Sequence, residues 1–115
     1  MSPAVSIVLP TFNRLKFLPA AVESVFAQTF DDWELLIADD GSGAETRDYL
    51  RTLDDPRVKL LWLPHSGRPG VVRNVALREA RGEYVAFLDS DDVWLPKKLA
   101  SQSFRYLKPF RAPIV

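Results

Sequence analysis

Apolar runs alternate with amphipathic segments along this chain. Val5-Ser6-Ile7-Val8-Leu9 is β-branched and almost continuously apolar, as expected of a strand covered on both faces, and Pro10 is expected to end it. After a polar turn, Pro19 suits a first helical position, and Ala20, Ala21, Val22, Val25 and Phe26 recur at helical spacing, which predicts a helix to about Gln28. Trp33 to Ala38 reads as a second strand, halted by Asp39-Asp40-Gly41-Ser42, where Gly41 gives backbone freedom and Ser42 is placed to cap a helix over Glu45 to Leu53. Val58 to Leu63 predicts a third strand, and Pro64 to Gly70 is too rich in Pro and Gly to be other than a loop. A helix from about Val71 to Ala80 follows, with Gly82 in the position that favours a left-handed cap. Tyr84 to Leu88 is the fourth predicted strand; Pro96 is expected to open a last helix carrying Leu99, Phe104 and Leu107.

Strands alternating with helices imply right-handed βαβ units, so the fold class is α/β: an open, mainly parallel sheet in an α/β/α sandwich. No internal repeat or linker interrupts the pattern. The segment Pro109 to Val115 reads as a chain cut before its next strand, hence a truncated fold.

With 115 residues, 47% of them hydrophobic, the chain is sized for one small core. Fifteen basic residues balance fifteen acidic ones, so no net field draws the molecule to nucleic acid or an anionic membrane, and an anionic ligand needs a local site. The absence of cysteine removes disulfides, thiolate metal sites and thiol nucleophiles, and is compatible with a cytoplasmic location. The run Val5 to Leu9 is too short for the apolar core of an export signal, and no stretch approaches the roughly 18 to 20 apolar residues of a membrane span. The chain as it stands is expected to be soluble, with any attachment to the inner face of the membrane left to sequence outside it.

In open parallel sheets, ligands bind at the carboxyl ends of the strands, where loops and helix N-termini are presented. Those ends carry Pro10-Thr11-Phe12-Asn13, Asp39-Asp40-Gly41-Ser42, the His65 to Gly70 loop and Asp89-Ser90-Asp91-Asp92, and all are expected on one edge. Asp89, Asp91 and Asp92 would repel one another unless a cation offsets their charge, and carboxylates are hard ligands suited to Mg²⁺ or Mn²⁺. Continued strand alternation would project Asp89 and Asp91 to one side; Asp91 is the leading metal ligand, Asp89 a ribose or metal contact, and Asp92 their support. The bland alternative makes Asp92 a cap of the helix near Pro96 and leaves Asp89 and Asp91 solvated in a turn. One of Asp39 and Asp40 is expected to accept from a base N–H or a ribose hydroxyl, the alternative being an Asx turn at Gly41. Thr11, Phe12 and Asn13 offer a hydroxyl, an aromatic face and an amide around that base. Arg73 is the first choice for a diphosphate contact among Arg68, Arg73 and Arg78; the alternative, an ordinary surface charge on a helix, applies equally to Arg73 and is favoured for Arg78. His65 lacks a second imidazole or a cysteine and reads as surface, and Trp94 as packing beneath the final helix.

The residues Val5 to Asn13, Asp39-Asp40-Gly41-Ser42, Arg73-Asn74, Gly82-Glu83-Tyr84 and Asp89-Ser90-Asp91-Asp92 together resemble the N-terminal pattern of family 2 glycosyltransferases. Each motif alone is weak; their order on successive strands is specific. The resemblance implies a GT-A, Rossmann-like fold and inverting transfer of a sugar from a nucleotide diphosphate donor to a saccharide or lipid-linked acceptor, as in envelope polysaccharide synthesis. It also implies Mg²⁺ or Mn²⁺ on the aspartates near strand four, with Ser90 beside the donor, and Asp40 at the base, commonly uracil. Where members usually have Tyr, this chain has Phe12, which keeps a stacking face and loses a hydroxyl. Residues 1–115 thus correspond to the nucleotide-sugar-binding part, with the catalytic base and acceptor pocket expected after Val115.

Two rivals belong to other classes. A nucleotidyltransferase of similar fold usually carries a Gly-rich basic loop after its first strand, and Thr11 to Leu18 contains no glycine. A non-catalytic interaction domain would use the uncovered edges of an incomplete sheet, and the same edges make a homo-oligomer conceivable. No G-x-G-x-x-G turn follows any strand, which disfavours a dinucleotide dehydrogenase, and the spaced ligands of a helix-loop-helix calcium site are missing.

Overall fold

The computed structural model describes residues 2–101 and the backbone of 102 and 108–109. The elements run β1 (Val5–Thr11), α1 (Leu18–Phe26), β2 (Trp33–Asp39), α2 (Ala44–Arg51), β3 (Val58–Trp62), α3 (Pro69–Glu79), β4 (Tyr84–Phe87), α4 (Lys98–Gln102) and β5 (Lys108–Pro109). The sheet order is β3-β2-β1-β4-β5. β1 to β4 are parallel, and β5 pairs antiparallel with β4 at the margin.

The pleat sends alternate residues of each strand to opposite layers. Val5, Ile7 and Leu9 of β1 join Leu35 and Ile37 of β2 beneath Leu18, Val22 and Val25 of α1 and Leu50 of α2. Val8, Leu36, Ala38 and Val85 face the other way, against Val72, Ala76 and Leu77 of α3. Burial on both faces explains the near-continuous apolar runs of β1 and β2. Trp94 and Leu99 sit in the first of these layers. Phe104 and Leu107 lie outside the described residues.

Several local expectations are corrected. Pro10 does not end β1, which continues to Thr11 with Pro10 opposite Ala38. The Val8 carbonyl accepts from Leu88 on the β4 side, so Pro10, two residues on, turns its missing N–H toward that side. Pairing with β4 has stopped there at Phe87, and no ladder bond is lost. Gly82 is not a left-handed cap, since only Gly41 and Gly67 among the described glycines have positive φ. Its requirement is space: a Cβ at Gly82 would lie 2.6 Å from the Ser6 nitrogen. Ser42 does not cap α2, whose N-cap is Gly43. Its hydroxyl accepts from the Asn13 backbone N–H at 2.8 Å instead. Nor does Pro96 begin the last helix. The Gln28 amide ties that segment down by donating to the Leu95 carbonyl at 2.7 Å and accepting from the Leu99 N–H at 3.0 Å.

Candidate functional site

Parallel register brings the strand ends level. Thr11 is opposite Asp39, and Asp39 opposite Trp62. The direction of chain travel reverses across the sheet between β1 and β4, because α1 and α2 cover one face and α3 the other. Beyond the carboxyl ends of those two strands lies a cleft of about 320 Å³, the switch point where such sheets bind ligands. β1 contributes Pro10, Thr11 and Phe12 to its walls, the segment after β2 contributes Asp40, and the turn after β4 contributes Asp89, Ser90 and Asp91. The first turn of α3 adds Val72 and Arg73, placing the positive end of that helix dipole beside the cleft.

The carboxylate of Asp40 is buried and held by the loop before α3. Its Oδ1 accepts from the Ser66 N–H at 2.7 Å and the Ser66 hydroxyl at 3.1 Å, and its Oδ2 from the Gly67 N–H at 3.0 Å. Burial alone would push its pKa up, but the backbone and hydroxyl donors of Ser66 and Gly67, aided by the nearby His65, outweigh it and hold the carboxyl below its ordinary value. The same loop sets His65 on Phe12, with ring centroids 4.2 Å apart and planes 29° from parallel. Its Nδ1 lies 2.9 Å from the Asp40 main-chain oxygen.

At the other side, the Asp92 N–H donates to the Asp89 carbonyl at 3.0 Å, closing a turn. The extended alternation expected of Asp89 and Asp91 therefore does not persist, yet both still line the cleft. Their carboxylates are exposed. Apart from a long 3.5 Å contact between Asp89 and the Arg73 guanidinium, neither has a partner among the described residues. Two free hard-oxygen ligands, with other positions left to water and phosphate, fit Mg²⁺ or Mn²⁺, which seldom take a full protein cage. Among the described residues no group of three or more acidic or imidazole side chains converges.

Of the residues expected in the site, Pro10, Thr11, Phe12, Asp40, Arg73, Asp89, Ser90 and Asp91 share this cleft. Asn13, Asp39 and Asp92 do not line it, for local reasons. Asn13, in the left-handed region with φ of 48°, spends its Oδ1 on the Gly43 N–H at 2.8 Å. Asp39 turns inward, its Oδ2 accepting from the Ser42 N–H at 3.0 Å in an Asx turn around Gly41. Asp92 is drawn into the turn by its backbone and stays exposed outside the wall. Two buried atoms at this rim, Thr11 Oγ1 and Asp39 Oδ1, have no hydrogen-bond partner among the described residues.

Two lining residues with titratable side chains went unassigned in the sequence, His65 and Arg14, beside Gly67, Pro69 and Val72. His65 is exposed, in keeping with its reading as surface, and its ring also lines the cleft. Gly41 is the signal for it, because at φ +77° a Cβ there would lie 2.8 Å from the His65 Cβ and nitrogen, but only the folded loop shows which residue approaches.

Residues 6–110 match the family described as Glycosyl transferase family 2. The chain belongs to glycosyltransferase family 2. WfgD of Escherichia coli, named UDP-Glc:alpha-D-GlcNAc-diphosphoundecaprenol beta-1,3-glucosyltransferase, is 41% identical to it over 104 residues, which cover 90% of this chain and 41% of WfgD. S. aureus TarS, residues 1–349, solved in complex with UDP-GlcNAc, superposes with a TM-score of 0.81 at 33% identity, covering 90% of this family 2 chain and 30% of TarS. The mannosyltransferase PcManGT of Pyrobaculum calidifontis, solved with GDP-Man and Mn²⁺, has a TM-score of 0.77 at 22% identity, a likeness of fold. The family 2 chain thus spans about two fifths of WfgD's length. The GT-A, Rossmann-like sheet expected from the motifs is the fold it has. Among its described residues no helix is long and apolar enough to cross a membrane.

Proposed function

We propose that this chain is the donor-binding part of a glycosyltransferase that holds a UDP-sugar through Mg²⁺ or Mn²⁺ and passes the sugar, with inversion, to a hydroxyl of a saccharide acceptor. The observation that carries this reading is one cleft collecting Asp40, Asp89 and Asp91 from the ends of β2 and β4 and Arg73 from α3. A pyrophosphate brings negative charge that needs both a cation and fixed donors, and these residues are suited to supply the sites for them.

Phe12 offers an aromatic face to the nucleoside, and Asp40 orders the loop beside it. Arg73, whose one side-chain hydrogen bond among the described residues is the long one to Asp89, can turn its guanidinium toward the diphosphate, and the N-terminus of α3 adds a favourable dipole. Asp91 and Asp89 are the residues that would hold the cation. Bound there, it would offset charge on the departing nucleoside diphosphate. Thr11 Oγ1, unpaired and in the wall, is available to the donor. The base that deprotonates the acceptor is not assigned to this cleft. UDP as the nucleotide is supported by the donors in the names of WfgD and of the TarS complex. The diphosphoundecaprenol-linked acceptor in WfgD's name supports a lipid-linked acceptor for this protein, and the teichuronic acid and colanic acid biosynthesis in the names of two other relatives supports a role in envelope polysaccharide synthesis.

Calorimetric titration with UDP, with and without Mn²⁺, tests the reading. The expected result is binding that strengthens with Mn²⁺, and an Asp91→Ala variant that loses at least about tenfold of that affinity, the scale of removing a charge-assisted ligand. Folded protein that binds no nucleoside diphosphate overturns the assignment. A nucleoside triphosphate preferred over a UDP-sugar would place the chain with nucleotidyltransferase chemistry instead.

A further inference from the structure

We propose that the outer edge of the sheet, where Arg47 and Arg51 of α2 stand over the ring of Trp62 in β3, is a docking surface for an anionic phospholipid bilayer. The inference rests on the lipid-linked acceptor proposed above and adds the surface that would bring the cleft to it. Of the three tryptophans, Trp33 and Trp94 are buried, at 2% and 9% exposure, whereas Trp62 is 42% exposed. β3 ends the sheet on its side, so no strand among the described residues flanks this ring. A half-exposed indole suits the headgroup level of a bilayer, its apolar body toward the acyl chains and its N–H toward water.

Two cations accompany that ring. The Arg47 guanidinium lies 5.7 Å and the Arg51 guanidinium 5.4 Å from its centroid. Four residues apart, they share one face of α2. Arg47 has no carboxylate partner among the described residues, and Arg51 has a 3.5 Å contact to Asp48, an exposed pair that contributes little. Glu45 and Asp48 balance the arginines in number along the helix, but it is the arginines that gather at the tryptophan, so apolar surface and positive charge coincide there. Such a patch is complementary to phosphate headgroups above hydrocarbon. It fits a saccharide poorly, because the indole face that would stack on a sugar carries guanidinium groups instead.

Trp62 is opposite Asp39, and Asp39 opposite Thr11 in the cleft wall, so the patch lies level with the cleft and two strand spacings, roughly 10 Å, to its side. That placement would hold the cleft at the height of a headgroup layer, where a diphosphate-linked acceptor has its reacting end. With a net charge of zero the molecule has no overall field to bring it there, and the local patch supplies the attraction.

Co-sedimentation with vesicles, in the absence of nucleotide, tests the proposal by comparing phosphatidylcholine alone with phosphatidylcholine containing phosphatidylglycerol. The protein is expected to bind the anionic vesicles at least about tenfold more tightly, an advantage that shrinks as salt rises. Brominated phosphatidylglycerol should quench tryptophan emission, and since Trp62 is the exposed tryptophan, the quenching should disappear in Trp62→Phe. Arg47→Gln combined with Arg51→Gln should lower partition into anionic vesicles about thirtyfold, roughly fivefold for each cation lost near the surface. Both variants are expected to bind UDP with Mn²⁺ as the wild type does, which separates a lost surface from a lost fold. Should the double variant not fold, the salt dependence and quenching of the wild-type protein decide. No partition, equal partition into neutral and anionic vesicles, partition unchanged in the arginine variant, or quenching that persists in Trp62→Phe overturns the inference while leaving the nucleotide reading intact. Anionic-vesicle binding with these dependences, in a protein that binds no nucleoside diphosphate, overturns the nucleotide reading and supports the docking surface.

Discussion

Asp40 accepts three hydrogen bonds from two residues of another loop, and these donors, overcoming the cost of its burial, keep it ionised. A carboxyl whose pKa is lowered by folding stabilises the fold above its unfolded value, near the ordinary Asp value of about 3.9, and that stabilisation is lost as pH falls through the lower folded value. Amide hydrogen exchange, corrected for intrinsic rates, should therefore show Ser66 and Gly67 protected at neutral pH and deprotected in acid below pH about 4. Asp40→Asn should reproduce the loss at pH 7; protection unchanged in that variant would contradict the latch. Asp40, Asp89 and Asp91 were legible as cleft residues because a strand end fixes where a side chain is delivered, and Arg73 because the helix after the third strand starts at the same edge. Asp39, Asn13 and Asp92 stand next to them in sequence, but neighbouring backbone groups claim them, and that competition is decided by turn geometry. His65 and Arg14 carry no sequence partner at all and become part of the site only when distant segments meet.

The strands and helices follow from patterning, since a buried parallel strand needs apolar residues on both faces and a helix on one. What patterning conceals is the polar stitching between elements. Glu34 lies buried within the apolar run of β2, accepting from the Ser6 hydroxyl and from the Arg81 N–H, while the Gly82 N–H donates to that same hydroxyl. The link fastens the start of β4 to β1 and β2, and the close approach it creates is why residue 82 is glycine. Gly82→Ala forces a methyl against the Ser6 backbone and should destabilise the protein by about 1–3 kcal/mol, or more if β1 cannot yield. Urea denaturation measures this as a lower midpoint with an unchanged slope; an unshifted midpoint would mean that the junction yields without cost. Gly82 stands where a left-handed cap is expected from the pattern, but crowding against Ser6 is its constraint. Pro10 misled in the same way, because an absent N–H is harmless once the neighbouring strand has departed.

For the molecule as a whole, the sheet order matters most, because β1 and β4 lie side by side only after α3 has crossed to the opposite face. That crossing brings Asp40 and Asp91, fifty-one residues apart in the numbering, to one rim. Alternating strands and helices made the layered architecture legible from sequence, and the family match agrees with it. The shape of the cleft was not legible, since it depends on how the loops before α3 and after β4 fold against each other. The decisive measurement is a crystal structure with UDP and Mn²⁺, using anomalous scattering to locate the metal. The account predicts manganese within coordinating distance of an Asp91 or Asp89 oxygen, with the pyrophosphate between it and Arg73 and the base beside Phe12 and His65. Manganese and nucleotide bound away from the β1–β4 rim would contradict it.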